Sequence, residues 1–599
     1  MDYRRRRDDF RMLTLLPSST DQPLECILEH GDINESPPYE AISYVWGNIQ
    51  DKSEIICNGK ALAITAALDA VLRHFRFPSE KRTLWVDAVC INQDDDEERG
   101  RQVSRMKDIY SKASRVLIWL GEEGDDSEIG IATAWDLAYA CHQYTSNGGS
   151  LDTITFDDKR VQKLFGKFRD RSQFPRLSAF AKIVKRLWFT RVWVVQELAL
   201  ATKATVFCGD SSIGWPDLMA AITAQDYLNL WLADHERNAY VFILERARQE
   251  WNAGVRRSLL SILFRYRILD STDPRDKIFG LNALTKSETS RVRALQPNYN
   301  VDTTELYISV AKEILKYSTD LNLFSVPRRL SGNGPRNLPS WVPDWTNTRL
   351  TAPLGLANYS DINEIAFSAS GSSTPQIEYG GVSLASLGVH GRCVDRIAAV
   401  GTVLRLEYLP RTDYHGVRLP KCAFVLDDWA RVAGLGKMES YVTGEPMRDA
   451  FVQTLATEST NESIETLRQQ LDILERNATI VKWLGFLPRH LPDWLADKAV
   501  YLAHAVLFYR RNDQMTLDFR INLSSLADRR VFGTDKGYIG LGSALVEAGD
   551  EIAVVKGAKV PLVLRANESQ WTLQGDCFVK GIMKGEAYRE DETSQMWIV

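Results

Sequence analysis

The chain has 599 residues, 44% of them hydrophobic and 25% charged, with a formal net charge of -5. These totals describe a soluble globular protein too long for one core, so two or more domains are expected. So small a net charge argues against nucleic acid as the main partner, and no apolar run reaches membrane-spanning length.

Met1-Asp2-Tyr3 followed by Arg4 to Arg7 is too polar for a signal peptide. Asp8 and Asp9 follow at once, which favours a solvated terminus over contact with phosphates or acidic lipid. Met12 to Leu16 and Glu25 to Leu28 read as short strands around a polar turn. After Pro37 and Pro38, the run Tyr39 to Gly47 is apolar and β-branched enough for a buried strand ending at the glycine. Ile55 to Cys57 and Ala61 to Ile64 flank Asn58-Gly59, a tight-turn dipeptide, and predict a β-hairpin. Thr65 then caps a helix whose Leu68, Val71, Leu72 and Phe75 recur at i, i+3, i+4 and i+7.

Leu84 to Ile91 reads as a second buried strand with the polar exit Asn92 to Asp96. A helix over Glu97 to Ala113 and a strand over Arg115 to Gly121 follow. Strand, helix, strand, helix, strand implies right-handed crossovers and a parallel sheet covered on both faces. Ile129 to Tyr144 predicts another helix, and the stretch to Lys185 an inserted helical hairpin. Ala204 to Asp210 is a fourth strand, and Pro216 opens a helix through Leu232.

From Glu236 to Tyr266 the pattern is helical, broken by the alternating charges of Asp270 to Lys277, which read as a salt-bridged turn rather than a ligand site. Asp302 and Glu305 resemble a capping box for a helix through Tyr317. Leu338 to Trp345 is a rigid aromatic turn suited to packing. Residues 346 to 380 read as an exposed connection, helices return between about 425 and 515, and the end is β-rich, a small antiparallel sheet or barrel. Gly537 to Gly542 has nucleotide-like glycine spacing without the strand-turn-helix context, and is set aside.

The eight cysteines form no CxxC pair, and no histidine pair has ligand spacing, so no metal is expected. Cys57, Cys90 and Cys208 sit in apolar runs, as thiols of a reduced, cytoplasmic protein do.

Leu187 to Leu198 concentrates two tryptophans, an arginine and one carboxylate. With Thr190 as cap, Trp193 and Glu197 lie one turn apart on one helical face. A carboxylate beside indole loses water and its pKa rises, which suits a catalytic or charge-stabilising group. The alternative is that Trp193 is core and Glu197 pairs with Arg191 or another base.

Three blocks carry a resemblance: Tyr39 to Gly47; Leu84 to Gln93 with Glu98, Arg99, Gln102, Val103, Met106, Ile109 and Tyr110; and Trp193 to Glu197. Together they resemble the HET domain, the heterokaryon-incompatibility domain of filamentous fungi, over roughly residues 39 to 200. Asp273 to Lys277, Leu338 to Trp345 and the tract from Gly537 to Glu586 resemble regions that follow it in long fungal members. The resemblance implies non-self recognition and programmed cell death after incompatible fusion.

The HET domain is in turn similar to TIR domains, which are flavodoxin-like parallel sheets. Ile42-Ser43-Tyr44, Val86-Asp87 and the Trp193–Glu197 pair stand where TIR domains carry corresponding features. In enzymatic TIR domains that glutamate cleaves the nicotinamide–ribose bond of NAD+. The similarity therefore implies NAD+ as a substrate, with no resident cofactor, and Glu197 as the catalytic residue. Ligands of parallel α/β sheets sit outside the carboxyl ends of the strands, so Tyr44, Trp46, Gly47, Asp87, Asn92 and Trp193 become candidate binding residues. Asp87 is equally a strand-end cap, and Arg99 and Arg191 would meet phosphates or form ion pairs. The hairpin at 55 to 64 and the insert at about 145 to 185 depart from the TIR pattern at the mouth of a pocket. The alternative to an enzyme is a non-catalytic module that self-assembles or docks on an incompatibility partner protein.

The resulting organisation is α/β. A strand extension spans 1–38, and a TIR/flavodoxin-like parallel sheet with helical insertions spans 39–235. A mainly helical region (236–345), a mixed α/β region (346–530) and a small β-rich C-terminal domain (531–599) follow. The region after about 240 is expected to act as sensor or inhibitor.

Overall fold

The computed structural model describes residues 10–19, 22–228, 230, 235–286, 295–326, 337–348, 353–355, 367–380, 385–405, 422–457, 463–469, 471–472, 475 and 526–599. They belong to two units, Met1–Asp302 and Thr303–Val599.

The first unit is organised by nine strands: β1 (Phe10–Leu15), β2 (Glu25–Gly31), β3 (Glu40–Tyr44), β4 (Lys52–Cys57), β5 (Lys60–Thr65), β6 (Arg82–Trp85), β7 (Arg115–Trp119), β8 (Ala204–Cys208) and β9 (Ser211–Gly214). Their order is β5-β4-β2-β1-β6-β3-β7-β8-β9. The central four, β6-β3-β7-β8, are mutually parallel, with Ala41 opposite Trp85, Tyr44 opposite Trp119, and Trp119 opposite Phe207. Numbered along the chain, these four lie in the order 2-1-3-4. β1 closes one side of this core by antiparallel pairing with β6, and the β8–β9 hairpin closes the other.

The helices of this unit are α1 (Ala66–Phe75), α2 (Asp87–Cys90), α3 (Asp96–Lys112), α4 (Ser127–Ser146), α5 (Lys159–Phe165), α6 (Phe174–Val184), α7 (Trp193–Ala199), α8 (Trp215–Tyr227), α9 (His235–Asn252), α10 (Leu259–Tyr266) and α11 (Asp276–Asn282). The predicted cap of α1 forms, with Thr65 accepting from the backbone of Leu68. Its buried stripe is Leu68, Val71, Leu72 and Phe75, each side chain contributing roughly 1.5–3 kcal/mol by leaving water. Asn58 and Gly59 both take positive φ, as a two-residue hairpin turn requires. Neighbouring residues of a strand face opposite ways. Phe75 of α1 packs on Trp119 and Phe207, on the Tyr44 face of the sheet, while α7 reaches Ser43 on the other. Helices therefore cover both faces.

Two expectations are corrected here. The second strand does not run to Ile91; it stops at Trp85, and Asp87 opens the single turn α2, its carboxylate accepting from the backbone of Ala88. Thr190 does not cap α7. It belongs to a 3-10 turn over Leu187–Thr190 and donates its hydroxyl to Leu187, while Val192 precedes the first residue of the helix.

In the second unit, α12 (Thr303–Tyr317) precedes the strands β10 (Ile377–Tyr379) and β11 (Leu387–Val400). After them come α13 (Cys422–Val432), α14 (Met447–Ala456), β12 (Arg529–Thr534), β13 (Ile539–Ser543), β14 (Glu551–Val555), β15 (Leu562–Asn567), β16 (Gln570–Val579) and β17 (Ser594–Ile598). β11, β12, β13, β16, β15 and β14 pair in that sequence, and β14 returns to β11, so the sheet closes into a barrel. Val394, Phe532, Ile552, Val563 and Cys577 are packed together within it. The tryptophans of the predicted aromatic turn, Trp341 and Trp345, are both core. The helices expected up to about 515 lie in part outside the described residues. The β-rich end expected from the sequence is present, its longest strand after β11 being the continuous strand β16.

Candidate functional site

The candidate site is assembled at the carboxyl end of β3. Ser43 is its second-to-last residue, and its hydroxyl donates to Oε2 of Glu197 on α7. The same hydroxyl oxygen accepts from Nε1 of Trp188 at 2.7 Å. Glu197 is 4% exposed. Burial pushes its pKa up to about 7, against the opposing pull of Arg191 and the Ser43 hydrogen bond, with Asp87 adding to the rise. Half protonated near neutrality, such a carboxyl can serve as base, acid or charge stabiliser.

Asp87, just past the end of β6, is the second carboxyl. Burial by surrounding protein raises its pKa, and Arg191, the Trp46 indole and the Ala88 amide oppose the rise. Trp46 donates its indole N–H to Asp87 Oδ2 at 3.0 Å. Gly47 makes the fold-back possible: its φ is +69°, and an added Cβ would stand 3.0 Å from the Ala67 methyl. Arg191 donates to the backbone carbonyl of Tyr44 and lies in the field of both carboxyls. Burial also pushes the phenols of Tyr44 and Tyr110 well above their ordinary range, with Asp87 and Glu197 both contributing. Gln196, beside Glu197, is buried, and its Nε2 has no hydrogen-bond partner among the described residues.

Of the residues singled out in the sequence, Tyr44, Trp46, Gly47, Asp87 and Glu197 are brought together with Arg191. Asn92 is not joined to them by any described hydrogen bond. Its side chain accepts from Asp94 in a local turn, and its backbone donates to Glu98. Trp193 turns away from Glu197. Its indole bonds to the carboxylate of Asp276, and Gly280 of α11 lies against its ring. The indole linked to the catalytic candidate, through Ser43, is Trp188.

Around Trp193 a second polar cluster forms. Asp276 also accepts from the Tyr299 hydroxyl at 2.8 Å, and Arg99 stacks on that ring at 3.7 Å. The expected salt-bridged turn is present as the Asp273–Arg275 pair at 2.8 Å, while Lys277 is buried and donates to the carbonyls of Arg267 and Leu269. Arg99 also pairs with Asp96 at 2.8 Å. Segment 190–192 is strapped to Asp270 by a parallel bridge. Thus the start of α7 is gripped from 270–280.

Ser43 and Trp188 were not singled out as site residues. The signal for Ser43 is one polar residue inside an otherwise apolar strand. Trp188 carries no comparable signal, because its partner is 145 positions away.

Comparison with known proteins matches residues 39–197 to the family "Heterokaryon incompatibility protein (HET)" and residues 503–599 to the family "Het-6 beta-barrel domain". The protein "Heterokaryon incompatibility protein 6, OR allele" of Neurospora crassa is 26% identical, over 98% of this chain and 96% of that one. No solved structure matches the chain. No helix among the described residues is long and apolar enough to cross a membrane.

Proposed function

Since this chain is a fungal HET-domain protein, we propose that it is an incompatibility-type effector of non-self recognition and cell death. Its HET domain acts by hydrolysing NAD+ in the cytoplasm. The incompatibility role rests on the relative's name and on the near-complete length over which the two chains align. The catalytic reading rests on one observation: a buried carboxyl, Glu197, tuned to about 7 and held by Ser43 at the carboxyl end of a parallel strand. The 2-1-3-4 order of the parallel strands supports a flavodoxin-like, TIR-like core, whose ligands sit at those strand ends.

In this reaction the ribose C1′–nitrogen bond breaks and its electron pair leaves with nicotinamide, a neutral ring that needs no proton. Water adds its oxygen to C1′ and releases a proton. Ionised Glu197 stabilises the oxocarbenium-like ribose, so one carboxylate is enough where most glycosidases use two. Arg191 meets the pyrophosphate, and Asp87 anchors ribose hydroxyls once Trp46 swings off it. Half-buried Trp46 supplies flat surface for a ring, with Tyr44 packed in the core behind the strand end.

A second reading has its own observation. Glu197 is only 4% exposed, as befits a structural group in a non-catalytic module that self-assembles or docks on a partner protein. NAD+ consumption by purified protein, wild type against Glu197→Ala, separates the two. The catalytic reading requires turnover in the wild type alone. If both proteins leave NAD+ intact even when assembled, that reading is lost.

A further inference from the structure

The cysteines of the sequence look dispersed, but the sheet brings two of them side by side. Cys26 on β2 and Cys57 on β4 are register partners on adjacent parallel strands. The amide following Cys57, that of Asn58, donates to the Cys26 carbonyl at 3.0 Å. Residues paired in this way point to the same face. Adjacent strands lie about 4.7–4.9 Å apart, inside the roughly 4.4–6.8 Å range of Cα separations that a disulfide spans. The two thiols are hydrogen-bonded to each other, which lowers the pKa of Cys57 and raises that of Cys26. Cys57, which stands directly before the exposed turn Asn58–Gly59, is the thiol an entering oxidant meets first, and Cys26 is placed to resolve it.

Both side chains are buried, at 3% and 1% exposure. The parallel ladder that joins their strands, however, holds two residue pairs, Glu25–Ile56 and Cys26–Cys57. Cys57 ends its strand directly before the exposed turn Asn58–Gly59. So short a ladder opens locally at small cost, and a small oxidant can then enter.

We propose that Cys26 and Cys57 are a reversible redox site that closes into a disulfide when the protein meets a hydroperoxide. Cys57 gives its thiol proton to solvent and the thiolate attacks the peroxide oxygen, so that the O–O bond breaks, a sulfenic acid forms, and the leaving alkoxide (hydroxide from hydrogen peroxide) takes a proton from solvent to depart as alcohol or water. The Cys26 sulfur then attacks the sulfenic sulfur. The S–S bond forms, and hydroxide leaves with the Cys26 proton as water. The two sulfurs give up two electrons in all, and the peroxide takes them. The bond rivets the β4–β5 hairpin to β2, across a short ladder otherwise held by its backbone pairs and by the Asn58 side chain, which bonds the backbone of Leu28.

The full chain is treated with hydrogen peroxide or with dithiothreitol, alkylated after denaturation, digested and mapped by mass spectrometry. The expected result is a linked Cys26–Cys57 peptide, a fall of two in free thiols, and full reversal by dithiothreitol. Amide exchange in the β4–β5 hairpin should slow in the oxidised protein. Cys26→Ser should leave Cys57 as a trappable sulfenic acid. The proposal is overturned if both thiols remain alkylatable after treatment, or if either sulfur is found joined to another cysteine.

Discussion

Ser43 gives its single hydroxyl proton to Glu197 while its oxygen accepts from the indole of Trp188. An indole N–H can only donate, so Ser43 accepts from Trp188 and gives its own proton to the ionised carboxylate of Glu197. Ser43→Ala deletes a bond that holds the pKa of Glu197 down, so that pKa should climb further above 7. It also strands the buried Trp188 N–H, at a cost of about 1–3 kcal/mol. Ser43→Thr keeps the hydroxyl and should recover most of the loss in urea unfolding. Equal stability of the alanine and threonine variants would show that the relay carries no weight.

Glu197 should make folding stability depend on pH. Its pKa rises from 4.5 in the unfolded chain to about 7 in the folded one. Between those values the folded chain binds more protons, so stability falls as pH climbs from about 4.5 to 7, and the deficit is complete above that. The shift corresponds to a ceiling of about 3 kcal/mol. Glu197→Gln keeps an acceptor for Ser43 and removes the charge. It should therefore match the wild type near pH 4.5 and exceed its stability at pH 8. A constant difference between the two proteins from pH 4.5 to 8 would contradict the assignment.

The same titration sets the expected rate profile if NAD+ is cleaved. The ionised form of Glu197 is the one that stabilises a cationic ribose, so the rate should rise tenfold per pH unit below about 7 and level off above it. Nicotinamide release measured from pH 5 to 9 gives the limb directly. A rate that falls as pH rises through 7 would instead make the protonated carboxyl the working form.

Much of this was legible in the sequence because it is local. The Thr65 cap, the α1 stripe and the Asn58-Gly59 turn are read from residues at most ten apart. The parallel core followed from alternating runs of strand and helix. The misreadings share another cause. Leu84 to Ile91 is apolar whether strand or helix, and the strand ends early where Cys90 and Ile91 bond back to Val86 and Asp87 and the Asp87 carboxylate takes the Ala88 amide. The direction of Trp193 is decided by Asp276 and Gly280, some eighty positions on, and no helical periodicity anticipates it. Ser43 and Glu197 meet across 154 positions. The sequence pattern located the carboxylate and left its partners to be found in the fold.

Trp193→Phe tests the grip on the start of α7. The ring still packs on Gly280, but Asp276 loses a donor and its pKa, already pushed up to about 6 by burial, rises further. The bond helps only the ionised form, so the variant should lose about 1.5–3 kcal/mol at pH 8 and less at pH 5. Chemical unfolding at the two pH values measures both. An equal loss at each would mean that packing, not the bond to Asp276, accounts for it.

Where the chain is cut should decide whether α7 survives. A fragment ending at 240 removes Arg248, whose guanidinium donates to the carbonyls of Leu198 and Ala201 at 3.2 and 2.7 Å, at the end of that helix. It also removes Asp270, Asp276 and Gly280, which hold its start. Seven residues of helix do not persist without such partners. A fragment ending at 302 keeps them all, because the first unit runs to Asp302. Amide exchange in 193–199 should be slow in the longer fragment and fast in the shorter one. Loss of toxicity in the 1–240 fragment would then report a melted Glu197 helix, whereas toxicity of the 1–302 fragment above that of the full chain would report a restraint supplied by the second unit. Slow exchange in both fragments would remove the 270–280 segment from the account of the site.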